Sequence, residues 1–183
     1  LAGLDAETVQ RRLYTRQADL PVYRYEGVQA SMRGWEAQTQ WRLIGGRQAL
    51  TRLDPRGGSV DLALRADGVH GQDRTHDQPL PRLAPVRFGG DVLWSRQSWG
   101  ARLSVTHAMA QNRVPEGQWA TPGYTLWSLG LNLHQHSGRM HWLWFARLDN
   151  ATNQTAYAAT SILRQTLAAD RVPPLPGRSL KLG

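Results

Sequence analysis

The stretch HGQDRTHDQ holds His70, Asp73, His76 and Asp77, a mixture of imidazole and carboxylate that suits zinc or a similar borderline cation. Five residues separate His70 from His76, so a loop could turn both toward one ion. Asp73 or Asp77 would then complete the shell and leave positions open for water or a chelate. The competing reading is a solvated polar loop, because imidazoles without a fixed scaffold seldom form a site. A second group, His134, His136 and His141, flanks a short turn and needs no ligand to explain it. Five arginines, Arg42, Arg65, Arg87, Arg102 and Arg147, are expected to pair across strands with Glu36, Asp61, Asp67, Asp91 and Asp149 rather than to bind an anion. Catalytic signatures are lacking: the chain has no Gly-rich phosphate loop, no G-x-S-x-G elbow and no H-E-x-x-H. It also has no cysteine, hence no thiolate nucleophile, no thiolate metal ligand and no disulfide. Neither an enzyme nor a resident cofactor is expected.

The elements that must position these residues show a period of two, the signature of strands whose side chains point alternately to opposite faces. In the segment from Tyr23 to Leu43, Trp35, Ala37, Thr39, Trp41 and Leu43 stand opposite Glu36, Gln38, Gln40 and Arg42. In SVDLALRAD, Val60, Leu62, Leu64 and Ala66 oppose Asp61, Arg65 and Asp67. Val86, Phe88, Val92 and Trp94 form one face of the third segment, and Trp99, Ala101, Leu103 and Val105 one face of the fourth. Trp127, Leu129, Leu131 and Leu133 continue the pattern in the fifth, and Met140, Trp142, Trp144, Ala146 and Leu148 in the sixth. Leu180 and Leu182 begin a seventh.

Such an apolar face is buried against a second sheet in a soluble sandwich, and faces lipid in a membrane barrel. The connections discriminate between the two. Long links follow the second, fourth and sixth segments, whereas RQS and HQHSG are short, which is the alternation of large loops on one side and tight turns on the other. The link from Ile44 to Gly58 is long for a turn and carries the Pro and Gly punctuation of RLDPRGG. Trp41, Trp94, Trp99 and Trp142 fall near the short-turn ends of four strands, as one level of an interfacial aromatic girdle would.

Composition agrees. Among 183 residues there are eight Trp and only two Phe, and Trp favours a membrane–water interface. The net charge of +8 is scattered along the chain, with Lys181 the single lysine, so nucleic acid is not an expected partner. No apolar run reaches the ~18 residues of a transmembrane helix. The opening LAGLDAETVQ lacks a basic-then-apolar leader, so an exported protein of this kind is expected to begin upstream.

Four stretches, in order, resemble the C-terminal half of TonB-dependent outer-membrane receptors. RGWEAQTQWRL is similar to one of the family's strands, and PLPRLAPVRFGGDVLW resembles the P-x-x-P-x-R stretch that opens a strand after an extracellular loop. FARLDNATNQTAY is similar to the family's V-x-N-L-x-D-x-x-Y strand end, with Leu148, Asn150 and Tyr157 in comparable roles. PPLPGRSLKLG is similar to the start of its final strand. DNATNQ departs from the usual NLLD and NLFD types.

The resemblance implies an all-β, antiparallel transmembrane β-barrel of about 22 strands with an internal plug. Residues 23–183 would form its last seven strands, and residues 1–22 the remnant of an extracellular loop. Plug, TonB-contacting segment and earlier strands would lie outside the chain, and the last strand would stop short at Gly183. It also implies TonB-energised uptake of a metal ion, metal chelate or siderophore across the outer membrane of a Gram-negative bacterium. The partners would be outer-membrane lipid and lipopolysaccharide, the inner-membrane TonB complex and the cargo, with His70, Asp73, His76 and Asp77 on the loop that first meets it. A passive porin, an adhesion barrel or a soluble lipocalin-like or sandwich binder are the alternatives.

Overall fold

The computed structural model describes all residues except 1–6, 18–19, 46–57 and 164–171. The described residues include ten strands: β1 (Glu7–Gln17), β2 (Leu20–Val28), β3 (Ala30–Ile44), β4 (Gly58–Asp73), β5 (Gln78–Pro79), β6 (Arg87–Arg96), β7 (Trp99–Ala108), β8 (Tyr124–Ser137), β9 (Met140–Asp149) and β10 (Ser179–Leu182). β1 and β2 pair as a separate antiparallel ribbon, while the other strands form one antiparallel sheet in the order β10-β9-β8-β7-β6-β4-β3, with β5 clipped to β4.

Seven strands thus make the main path, and each corresponds to one of the two-faced segments. The boundaries differ in two places. The segment expected from Tyr23 divides at Gln29 into β2 and β3, and residues 7–17, expected as loop, pair with 20–28. Gln29 is pinned there: its carbonyl accepts from the Arg74 amide at 2.7 Å and its amide donates to Thr75 Oγ1 at 2.8 Å. β4 also runs on to Asp73, so His70, expected in a loop, is a strand residue.

The two short turns are two-residue hairpins, Gln97–Ser98 and Gly138–Arg139, closed by the pairs Arg96–Trp99 and Ser137–Met140. Gln97 (φ 52°) and Gly138 (φ 58°) take the left-handed conformation that matches hairpin turns to the twist of the strands. The long connections 74–86, 109–123 and 150–178 emerge at the opposite end, and the link with RLDPRGG lies mostly outside the described residues. A bulge at Leu43 puts Ile44, rather than Leu43, opposite Val60.

The register carries each apolar face into the next. Trp41, Leu62, Val92, Leu103, Leu129, Leu148 and Leu180 form one continuous cross-strand row over all seven strands. A one-residue slip in any strand would have broken it. No large side chain is fully buried among the described residues. The small buried set, including Val28, Leu80, Ala108 and Ala156, belongs to the loop end, while the apolar row stays half exposed. A sheet with this face uncovered is a single layer, unlike a sandwich, where a second sheet covers it. No helix among the described residues is long and apolar enough to cross a membrane.

Candidate functional site

Counting only same-face register pairs, every second residue, from the cross-strand row orders the aromatics. Trp41 lies in the row, Trp94 one pair nearer the short turns, Trp99 two pairs and Trp142 three. On the loop side Trp35, Phe88 and Trp127 lie three, two and one pairs above it. The two lines descend in the same direction and are six residues apart on both β3 and β6, about 20 Å along the strand. From Trp41 to Trp142 the drop is six residues over five strand-to-strand steps. With a rise of about 3.3 Å and a spacing of about 4.8 Å, that slope corresponds to strands inclined about 40° from the perpendicular to a level aromatic line. Transmembrane strands tilt by ~35–45°. The four tryptophans are therefore staggered in the sheet and level once the strands tilt. Trp142 and Trp144 stack at 6.2 Å, and Trp144 Nε1 donates to Gln135 at 3.2 Å, keeping the indole N–H satisfied.

The opposite face carries a lattice of charge. Asp91, only 4% exposed, accepts from Ser104 on β7 and is clasped by Arg65 of β4 and Arg102 of β7 at 2.5 and 3.0 Å. Arg65 reaches it by lying across β6 at Gly89, where a Cβ would collide with the guanidinium Nε, and it also donates to Thr106 at 3.1 Å. Arg42 makes a bidentate pair with Asp61, 2.7 and 3.0 Å, and Arg87 pairs with Asp67 at 2.9 Å. The cross-strand expectation holds for these four arginines. Arg147 instead pairs within its own strand with Asp149 at 2.7 Å, and the cross-strand partner of Asp149 is Lys181 at 3.0 Å. Glu36 joins no ion pair among the described residues.

Leu93, Leu143 and Phe145 interrupt this polar face by parity, Phe145 lying 45% exposed and Leu143 54%. The sequence hid Leu143 and Phe145, because MHWLWFARLD is apolar on both parities over Trp142–Phe145 and so shows no alternation there.

At the loop end the four candidate ligands separate. Asp73 and His76 form a pair, His76 Nδ1 to Asp73 Oδ2 at 2.8 Å, and Asp73 Oδ1 also accepts from the amides of Thr75 and His76 at 2.8 and 3.2 Å. Burial pushes the Asp73 carboxyl up, but the hydrogen bonds from His76 and Thr75 outweigh it and hold the group below the usual carboxylate range. Asp77 accepts from Gln72 Nε2 at 3.1 Å. His70 lies on the other parity of β4 from Asp73, opposite Arg33 of β3, and accepts from Arg113 at 2.8 Å through Nε2. Among the described residues no group of three or more His, Cys, Asp and Glu side chains is placed to hold a metal ion. At the other end His136 and His141 meet edge to face across the Gly138 turn, 4.5 Å between ring centroids.

Asn150 of the FARLDN stretch has a definite task. In the left-handed conformation (φ 47°) and buried, it accepts from the Gln154 amide at 2.9 Å and donates to the Gln154 and Pro176 carbonyls at 2.9 and 3.3 Å. It ties the two ends of the 150–178 loop together.

A tilted antiparallel sheet with tight turns at one end, large loops at the other, an apolar face between aromatic lines and a charged reverse is an arc of a larger barrel. No protein-family model matches the chain. Among 28 matching chains of solved structures is the copper transporter OprC, which superposes with a TM-score of 0.72 at 15% identity. The match covers 94% of this chain and 25% of OprC, so the chain spans about a quarter of that protein's length. At this identity the likeness is one of fold.

Proposed function

We propose that the chain is a wall segment of a plugged outer-membrane barrel that takes up a scarce ligand, a metal ion, metal chelate or siderophore, with energy delivered by the TonB complex. The observation that carries the reading is the superposition of nearly the whole chain on a quarter of a transporter barrel. Two features of the sheet support it. The aromatic lines fit strands tilted as in a bilayer, and Leu93, Leu143 and Phe145 lie on the inner face among paired charges, a surface better suited to an interior domain than to open water. OprC is a copper transporter, which makes copper the first cargo to try.

The test is accumulation of copper(II), zinc(II) and a ferric hydroxamate chelate by cells with and without the gene that encodes this chain. Uptake of one of these that depends on the gene and stops when the inner-membrane proton gradient is collapsed is the expected result. Gene-dependent uptake that persists without the gradient would indicate a passive porin and overturn the energised reading.

A further inference from the structure

Above the upper aromatic line, on the apolar face, the sheet ends in a cationic cleft. β3 and β4 are 15 and 16 residues long, more than the ~9–11 a tilted strand needs to cross a bilayer, so their loop-end residues project beyond it. Parity places Arg33 on the same face as Trp35 and one pair above it, directly across from His70. Arg113, from the loop after β7, reaches over to the same point. It is held there by two contacts, donating to the His70 ring and from Nη2 to Gln72 Oε1 at 3.0 Å. Together they border a cleft of about 570 Å³ whose apolar lining includes Trp35, Pro85, Val86 and Met109.

The charges at this mouth are not balanced. Arg33 and Arg113 are both exposed, and neither forms an ion pair with a carboxylate among the described residues. The nearby carboxylate, Asp77, is turned to Gln72. On the inner face five arginines have carboxylate partners, whereas here the two guanidiniums are left for an external anion to approach. Guanidinium pairs are suited to phosphate, which they engage through paired, charge-assisted hydrogen bonds. The apolar lining below is suited to the sugar faces and chain roots of an amphiphile whose phosphate sits at headgroup level.

We propose that Arg33 and Arg113, with His70 and Gln72 positioning Arg113, form a docking site for the phosphate of a phosphorylated glycolipid in the outer leaflet, its apolar part lying against Trp35, Val86 and Met109. The inference rests on the membrane reading of the sheet. It differs from cargo recognition, because the cleft opens on the lipid side of the wall and not on the inner side.

The experiment uses the complete barrel protein containing this chain, in lipid nanodiscs, with bisphosphorylated lipid A and its fully dephosphorylated form as probes, read by native mass spectrometry. The expected result is a roughly tenfold or greater preference for the phosphorylated lipid, lost in the Arg33→Gln, Arg113→Gln double variant and retained in Arg96→Gln, Arg139→Gln, which removes the same charge at the short turns. Inorganic phosphate at equal concentration should not displace the lipid. Equal binding of the two lipids by the unaltered protein overturns the proposal without recourse to a variant, as does a preference that survives the double substitution or is lost equally in the control. A protein that does not enter lipid overturns the membrane reading as well; one that enters lipid and shows no phosphate preference overturns this inference alone.

Discussion

Asp91 holds three strands through its side chain alone: Arg65 arrives from β4, Arg102 and Ser104 from β7, and the aspartate itself stands on β6. The carboxylate is buried while both guanidiniums remain about half exposed. Water can therefore screen much of the repulsion once the anion is removed, and the loss is smaller than for a fully buried pair. Asp91→Ala is expected to destabilise the folded barrel by about 1–2 kcal/mol, read as a lowered urea midpoint in detergent micelles at unchanged slope. No change in midpoint would mean that the lattice is decorative. Gly89 belongs to the same unit, since a Cβ there would displace the Arg65 guanidinium from its path to Asp91.

Strand faces, rather than single side chains, decide where a charge is tolerated. Leu103 stands in the middle of the cross-strand row, between Val92 and Leu129, while Ser128 on β8 pairs with Ser104 on the charged face. Leu103→Arg is expected to cost about 2–4 kcal/mol, as for a lipid-facing residue near the bilayer midplane, and Ser128→Arg distinctly less. Heat-modifiable migration of the folded barrel reads both variants. Equal losses would place Leu103 away from lipid and undo the register argument. Ser104 itself is a poor control, because it donates to Asp91 and is flanked by two arginines.

At the scale of the whole molecule the sheet is incomplete as it stands. Among the described residues β3 and β10 are its two edges, each paired on one side only. Unpaired ladder groups are not tolerated in hydrocarbon, and in water the exposed row from Trp41 to Leu180 is an aggregation surface. Residues 1–183 produced alone are therefore expected to give no monomeric, heat-modifiable species in micelles and no cooperative unfolding transition in buffer. A soluble monomer with a sharp transition would favour a sandwich-type binder and contradict the barrel.

The alternation of apolar and polar residues was enough to define seven strands and their outward faces, because a period of two is a local property and each segment displays it without reference to its neighbours. The alternation of short and long connections gave the two ends of the sheet in the same local way. Where the pattern failed, a local rule was silent: Leu143 and Phe145 sit in a run that is apolar on both parities, and the pairing of residues 7–17 with 20–28 needed a partner strand to become visible. Register was the decision of the tertiary structure. It turned four tryptophans at different positions in four strands into a line with a slope, because level in a membrane depends on how far each strand is shifted against the next. It also separated residues that sequence had grouped. His70 and His76, neighbours in one short stretch, part company because β4 continues through His70 and ends at Asp73, whose carboxylate takes His76 into the turn. His70 is left facing Arg113, 43 positions away, a contact that no spacing rule could propose because only the return of the 109–123 loop over β4 brings the two together.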